Sequence, residues 1–173
     1  MYNYVDPREI KAHMLIVDDD QQNAEIAAAF FGDWNLDITH AESADRALEL
    51  IDETTYDIIL MDIMMPHMDG ITLTEKIKSR PDYIDVPIIF LTAKVDKQTM
   101  RQAFEARGSD YLTKPFWGVE LQLRVGVQLK NRYMHLFLGN LNTEIEKQKR
   151  RAEKAESELA AARKRIAELE SGK

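Results

Sequence analysis

Short apolar runs alternate with amphipathic segments through the first two-thirds of the chain, and this alternation constrains the fold more than any other feature. The predicted strands are Met14–Val17, Leu36–Thr39, Ile58–Met61, Pro87–Leu91 and Asp110–Thr113. The predicted helices are Gln21–Phe31, Ala44–Glu53, Ile71–Ser79 and Lys97–Arg107. Three of the strand segments are apolar throughout, which is typical of central strands in a parallel sheet that is covered on both faces. The pattern predicts an α/β domain with a doubly wound, five-stranded parallel sheet.

Polar residues that follow these strands are the first indication of function. They are Asp18 and Asp19 after the first strand, Asp62 after the third, Thr92 after the fourth and Lys114 after the fifth. In open parallel sheets, the functional crevice lies beyond the carboxyl ends of the strands. We therefore expect these five side chains to lie in one site.

The three aspartates of this predicted site need a counter-charge. Carboxylates that converge repel one another and raise their own pKa values unless a cation neutralises them. No His or Cys accompanies them, so the pattern indicates an all-oxygen site for a hard ion such as Mg²⁺. The ammonium of Lys114 can pair with a phosphoryl oxygen, and the hydroxyl of Thr92 can donate to another. Since aspartate is a competent nucleophile for phosphoryl transfer, the pattern is consistent with an acyl phosphate.

Four motifs, in this order, resemble those of the receiver domain of two-component response regulators: LIVDDD, LMDIMMPHMDG, IIFLTAK and DYLTKPF. The resemblance covers about Met14 to Gln128 and implies a flavodoxin-like fold, as in chemotaxis regulators. It implies that Asp62 accepts a phosphoryl group from a sensor histidine kinase or a phosphotransfer protein. It also implies that Asp19 binds Mg²⁺ directly, that Asp18 does so largely through water, and that the backbone carbonyl of Met64 is a further ligand.

The resemblance also assigns residues around the phosphoryl group. It implies that Thr92 and Tyr111 form a switch pair, that Lys114 binds the phosphate, and that the peptide before Pro115 is cis. Taken alone, Thr92 could be an ordinary hydroxyl at a strand end and Tyr111 an ordinary core residue.

Three other residues receive structural interpretations. We expect Asp20 to cap the first helix, because aspartate favours the N-cap position. Trp34 and Trp117 are interpreted as packing residues.

An aspartate-nucleophile phosphatase is the alternative chemistry, because it also combines Asp, Mg²⁺, Thr and Lys. That reaction needs a general acid/base, which in that superfamily is a second aspartate two residues after the nucleophile. Met64 stands at this position and cannot transfer a proton. We therefore expect a phosphoacceptor rather than an enzyme, with only slow self-phosphorylation and self-dephosphorylation. Met64 and Lys94 are expected to tune the lifetime of the phosphoryl group.

The C-terminal part of the chain has a different pattern, with no further predicted strand after Trp117. Apolar residues follow a three-four spacing that predicts a coiled coil. The predicted a positions are Leu138, Ile145, Ala152, Leu159 and Ile166, and the d positions are Leu141, Gln148, Ala155, Ala162 and Leu169. Gly139 and Asn140 could end a helix, with a capping box at Thr143 and Glu146 opening another. The unbroken heptad phase favours one continuous helix.

Charges beside the heptad core favour pairing with a second copy. The g and e positions that would meet are Glu144–Lys149, Arg151–Glu156, Glu158–Arg163 and Arg165–Glu170, and each pair is opposite in sign. We expect a homodimer through Leu138, Leu141, Ile145, Leu159, Ile166 and Leu169. The same charges also satisfy an antiparallel pairing, while analogy with other receiver-linked helices favours a parallel one.

Composition narrows the setting and the partners. The net charge of −7 argues against a general nucleic-acid partner, and the absence of cysteine excludes disulfides and thiolate ligands. No signal-peptide pattern and no apolar run long enough to cross a membrane is present, so we expect a cytoplasmic protein.

The predicted organisation is an N-terminal segment (1–12), a receiver domain (13–130) and a helical extension (131–173). The predicted function is a phosphorylation-dependent switch that signals through a coiled-coil dimer. The alternative is the regulatory part of a longer effector, such as a diguanylate cyclase or a histidine kinase.

Overall fold

The computed structural model describes residues 5–93 and 97–171, in which five strands alternate with five helices. The strands are β1 (Ala12–Val17), β2 (Leu36–Ala41), β3 (Ile58–Asp62), β4 (Ile88–Thr92) and β5 (Asp110–Thr113). The helices are α1 (Gln21–Ala29), α2 (Ala44–Glu53), α3 (Gly70–Lys78), α4 (Lys97–Glu105) and α5 (Gly118–Ser171), with short 3-10 helices at Pro7–Glu9 and Pro81–Tyr83. All strands pair in parallel in the order β2-β1-β3-β4-β5. The predicted doubly wound fold with a long fifth helix is confirmed.

Burial on both sides of the sheet explains why the central strands are apolar throughout. Successive side chains of a strand point to opposite faces. In β3, Ile59 and Met61 join a core formed with α2, α3 and α4, whereas Ile58 and Leu60 join a second core formed with α1 and α5. Each face of the sheet therefore has its own apolar layer.

Residues flanking the helices test three of the structural interpretations. Asp20 caps α1, since its carboxylate accepts a hydrogen bond from the backbone N–H of Gln22 at 2.8 Å, as expected. The ring of Trp34 packs edge-on against Phe31, at a centroid distance of 5.2 Å. The interpretation of Trp117 as a packing residue is wrong, because its side chain is 81% exposed. Its neighbour Phe116 packs against the second core instead.

Two units make up the chain, Met1–Tyr133 and Met134–Lys173, and the boundary between them falls within α5. The first contains the sheet and its helices. In the second, Thr143 donates a side-chain hydrogen bond to the carbonyl of Gly139 at 2.9 Å inside the helix, so the helix does not end at Gly139.

The predicted core positions Leu138, Leu141, Ile145, Leu159 and Ile166 are all exposed in the single chain. The side chain of Leu169 and the residue Lys94 lie outside the described residues. Among the described residues, no helix is long and apolar enough to span a bilayer.

Gly70 brings the start of α3 against the end of β3. Its N–H donates to the carbonyl of Ile63 at 3.0 Å, and a Cβ at this position would lie 2.0 Å from the carbonyl oxygen of Asp62. Only a residue without a side chain fits there.

We expect Gly70→Ala to lower the free energy of unfolding by about 2 kcal/mol or more, because the backbone must shift to relieve the collision. Gly139→Ala is the control, since nothing lies within 4 Å of its Cβ position in the helix. There the change should raise helix stability by about 0.5–1 kcal/mol. Urea denaturation measures both. An unfolding free energy of Gly70→Ala equal to that of wild type would contradict the close contact between Gly70 and the carbonyl of Asp62.

Lys78 is a buried cation at the end of α3. Its ammonium donates to the carbonyl oxygens of Ile84, at 3.1 Å, and of Val86. Burial lowers the pKa of Lys78 to about 8, although the carboxylate of Asp85 acts in the opposite direction. Folding therefore disfavours the charged form of this side chain.

The lowered pKa predicts that the difference in unfolding free energy between wild type and Lys78→Met depends on pH. The unfolded lysine has a pKa of about 10.4, so between about pH 8 and pH 10 the unfolded state binds more protons and stability rises with pH. From about pH 7 to pH 10, the difference in unfolding free energy should shift by about 2 kcal/mol in favour of wild type. Lys76→Met, at an exposed position of the same helix, controls for the loss of one positive charge. A shift in the opposite direction on urea denaturation would refute the lowered pKa.

Candidate functional site

Three of the predicted site residues form a carboxylate cluster at the carboxyl edge of the sheet. Asp18 and Asp19 follow β1, and Asp62 is the last residue of the adjacent strand β3. One carboxylate oxygen from each residue lies within 4.8 Å of the other two. Parallel pairing of β1 with β3 brings these groups together, since it places the carboxyl ends of both strands at the same edge.

The three carboxylates differ in their surroundings. Asp18 and Asp62 are buried, whereas Asp19 is exposed. Burial raises the pKa of Asp62 above its usual value, with the charge of Asp18 acting in the same direction. The ammonium of Lys114 and the N–H of Met64 oppose that rise by stabilising the ionised form.

Lys114 supplies the counter-charge that the sequence predicts. Its ammonium lies 2.6 Å from Oδ2 of Asp18 and 3.3 Å from Oδ1 of Asp62. Its backbone N–H donates to the carbonyl of Thr92 at 2.7 Å, which ties the β5–α5 connection to the end of β4. The peptide between Lys114 and Pro115 is cis, as expected.

Asn23 and His40 also contact Asp18, and the sequence did not identify them as site residues. Oδ1 of Asp18 accepts hydrogen bonds from the N–H of Asp20, at 3.0 Å, and from the side-chain amide of Asn23, at 3.3 Å. Nε2 of His40 lies 2.8 Å from the backbone carbonyl of Asp18. Since a carbonyl oxygen can only accept, this nitrogen is the donor and carries a hydrogen. Asn23 lies in the first turn of α1, close to the N-cap residue Asp20. This position near the end of β1 was the only feature of the sequence that could have placed Asn23 in the site.

Thr92 and Tyr111, which the resemblance assigns as the switch pair, lie on the two neighbouring strands at one edge of the sheet. Thr92 is the last residue of β4 and is buried, whereas Tyr111 lies in β5 and is 39% exposed. The register pairs Thr92 with Thr113 and Phe90 with Tyr111. Met64 follows β3 with its side chain exposed.

The donor set fits a hard divalent cation. Asp19 and Asp62 offer carboxylate oxygens in the cluster, and Asp18 is already bound to Lys114, Asn23 and the N–H of Asp20. Within the described residues, neither histidine nor cysteine belongs to the cluster. Mg²⁺ favours a site with a few carboxylates that leaves room for water and phosphate oxygens.

Comparison with known proteins agrees with this geometry. Residues 14–126 match the family model of the response regulator receiver domain. The chain belongs to this family. Its receiver domain is 38% identical over 117 residues to the transcriptional regulatory protein ResD of Bacillus subtilis, covering 68% of this chain but only 48% of that relative. The aligned part thus spans about half the length of that curated relative.

Solved structures show the same receiver fold. The receiver domain of the Francisella response regulator 1452 is 34% identical, with a TM-score of 0.63, and the match covers 69% of this chain and 98% of that one. The receiver domain of a signal transduction histidine kinase from Syntrophus aciditrophicus is 29% identical, with a TM-score of 0.65 and coverage of 69% and 91%. Receiver domains of both kinds of signalling protein therefore resemble this one.

The raised pKa of Asp62 predicts that the free energy of unfolding is lower when its carboxyl group is ionised than when it is protonated. A carboxyl group whose folded-state pKa exceeds the unfolded value stabilises the fold at low pH, and this contribution is lost as the pH rises through the folded-state pKa. Asp62→Asn should therefore raise the unfolding free energy of the metal-free receiver at neutral pH.

Denaturation in the presence of a chelator, at neutral and at acidic pH, measures this effect. The gain from Asp62→Asn should shrink towards acidic pH, where the wild-type carboxyl is protonated. A variant that is less stable than wild type at neutral pH would contradict the raised pKa.

Proposed function

We propose that this chain is a phosphoacceptor switch that takes a phosphoryl group from a sensor histidine kinase or a phosphotransfer protein onto Asp62. The observation that carries the proposal is the position of Asp62 at the carboxyl edge of the sheet, with the ammonium of Lys114 3.3 Å away and the Asp18 and Asp19 carboxylates beside it. This arrangement supplies a nucleophile, a fixed positive charge and cation ligands in one crevice.

The transfer uses the carboxylate of Asp62 as the nucleophile. One of its oxygens forms a bond to phosphorus while the bond between phosphorus and the nitrogen of the donor histidine breaks, and the imidazole leaves. Lys114 pairs with a phosphoryl oxygen, and the hydroxyl of Thr92 donates to another. Asp19, Asp62 and the carbonyl of Met64 would hold Mg²⁺, with Asp18 acting through water. When bound there, the ion would supply positive charge to balance the carboxylates and the phosphoryl oxygens.

The residue at position 64 supports a switch rather than a phosphatase. Hydrolysis of an acyl phosphate is accelerated by a group that moves a proton to or from water. The thioether of Met64 cannot do so, and the side chain is exposed to solvent. The phosphorylated state therefore persists, with only slow self-dephosphorylation.

Thr92 and Tyr111 form the switch pair in this proposal. The hydroxyl of Thr92 moves towards the phosphoryl group, and Tyr111, which is partly exposed, then turns inward. The surface formed by α4, β5 and α5 changes shape as a result, so that a partner can distinguish the two states.

The helical extension is proposed to form a parallel, in-register coiled coil with a second copy. Leu138, Ile145, Leu159 and Ile166 are each about half exposed in the single chain, and pairing would cover them. Opposite charges at flanking positions, such as Glu144 and Lys149, support this register. Antiparallel pairing is the competing arrangement.

A second candidate function is that of a regulatory receiver within a longer effector enzyme. The similarity to the receiver domain of a histidine kinase favours it. Sequencing the native gene beyond the codon for Lys173 distinguishes the two candidates. An open reading frame that continues into a catalytic domain would favour the longer effector.

Asp62→Asn should abolish phosphorylation by acetyl phosphate or by a cognate kinase, because an amide is not a competent nucleophile. Labelling with radioactive phosphate measures this directly. Asp37→Asn, which removes an exposed carboxylate from β2, is the matched control and should retain labelling. Undiminished, Mg²⁺-dependent labelling of Asp62→Asn would refute the assignment.

Asp19→Asn should weaken Mg²⁺ binding by about tenfold or more, because it removes a carboxylate from the cluster. Asp20→Asn is the matched control. It removes the same charge from the next residue, and asparagine remains a good N-cap. A Mg²⁺ titration followed by tryptophan fluorescence or by thermal stability gives both affinities. Equal affinity of the Asp19→Asn variant and wild type would contradict the ligand assignment.

A further inference from the structure

The outward face of α5 within the first unit is apolar. Val119, Leu123 and Val127 are 68%, 64% and 56% exposed, and their spacing of four residues places them on one side of the helix. Leu121 and Val125, on the opposite side, are fully buried in the second core. This segment of α5 therefore presents apolar side chains to solvent as well as to the core. Contiguous exposed apolar surface of this kind marks an interaction site.

A groove runs along this face, between α5 and the N-terminal 3-10 helix. A Cβ on Gly126 would lie 3.2 Å from Cγ of Pro7 and 3.3 Å from Cη2 of Trp34, so the missing side chain lets both rings approach the helix closely. The groove has a volume of about 430 Å³. We call it the α5 groove, and its apolar lining consists of Pro7, Trp34, Val119, Leu123 and Val127.

The charges that line the α5 groove are balanced, although the chain as a whole has a net charge of −7. Asp6 and Asp33 are acidic, and Arg8 and Lys130 are basic. Arg8 lies 2.6 Å from Asp6 and 4.0 Å from Asp33. A two-fold interface brings the same patch of both subunits together, so a patch of one sign would repel itself. Balanced charge permits self-association here.

The spacing of apolar residues links this face to the predicted coiled coil. The series runs through Val119, Leu123, Val127, Lys130, Met134, Leu138 and Leu141, with successive steps of four, four and three residues, repeated once. An 11-residue repeat of this kind keeps the contact side of a nearly straight helix facing its partner. From Leu138 onward the steps become the three-four steps of a heptad. The contact series therefore begins on the receiver rather than at Met134. Lys130 fits the series, because the aliphatic part of its side chain can cover apolar surface.

We propose that a second copy of this chain occupies the α5 groove, so that the dimer interface includes the receiver face as well as the coil. The proposal rests on the parallel coiled-coil dimer of the proposed function and extends that interface. Val119, Leu123 and Val127 of one copy face the same residues of the other. The exposed side chains of α4 and β5, including Phe104 and Tyr111, lie outside this interface.

Single cysteines test the contact directly, because these 173 residues include no cysteine. Leu123→Cys reports on the α5 groove, and Leu159→Cys, at a predicted a position, reports on the coil. Lys76→Cys, at an exposed position of α3, is the control for random collision. Disulfides form only where the two Cβ atoms come within about 4.5 Å of each other. Under mild oxidation, we expect rapid disulfide dimers with Leu123→Cys and Leu159→Cys and none above background with Lys76→Cys.

The outcomes separate the two proposals. If Leu159→Cys forms the dimer and Leu123→Cys does not, the parallel coil stands and the receiver contact is overturned. If neither variant forms the disulfide dimer, both the parallel coiled coil and the receiver contact are overturned. If Leu123→Cys alone forms it, the receivers pair through the α5 groove without the predicted coil register.

Dissociation constants provide a second test. The double variant Leu123→Glu with Val127→Glu should weaken dimerisation at least about tenfold, since it places charges in an apolar contact. Both positions are exposed in the single chain, so the fold is retained, which circular dichroism checks. Phe104→Glu places a charge at another exposed apolar position, on α4, and should leave the dissociation constant unchanged. Equal dissociation constants for the double variant and wild type, from sedimentation, would overturn the receiver contact.

Discussion

The ammonium of Lys114 lies between two buried carboxylates, and the geometry of the site depends on this interaction. It binds Asp18 at 2.6 Å and approaches Asp62 at 3.3 Å, yet burial still raises the pKa of Asp62. The other oxygen of Asp18 is held by the N–H of Asp20 and the amide of Asn23. Asp18 is therefore fixed in place. Asp62 remains in an environment that disfavours its ionised form, and a divalent cation would stabilise that form.

The fold supports this site through connections that hold the ends of the strands in position. The N–H of Lys114 is bound to the carbonyl of Thr92, which fixes the β5–α5 connection beside β4. Gly70 lets α3 begin directly against the backbone of Asp62, where any side chain would collide. Asp62, Lys114 and Thr92 are thus held in position by backbone contacts. Such preorganisation suits phosphoryl transfer, in which catalysis consists mainly of positioning and electrostatic stabilisation.

Much of this arrangement could be predicted from the sequence, because strand ends converge in a parallel sheet. Asp62, Thr92 and Lys114 are separated along the chain, but Asp62 and Thr92 end apolar strands and Lys114 follows β5. The contacts of Asn23 and His40 could not be predicted in the same way, since they depend on side-chain geometry between elements. The prediction failed for Trp117, because Phe116 packs against the second core while the side chain of Trp117 is exposed to solvent. The α5 groove also escaped prediction, because it needs the N-terminal segment to lie against Gly126.

The residue that carries the phosphoryl group is identified most directly by chemical trapping. Borohydride reduces an aspartyl phosphate to homoserine, so the position of homoserine marks the acceptor. After treatment with a phosphoryl donor and Mg²⁺, followed by reduction and proteolysis, mass spectrometry should find homoserine at position 62 alone. Homoserine at Asp18 or Asp19, or an acid-stable phosphate on a hydroxyl side chain, would contradict the assignment of Asp62 as the phosphoacceptor.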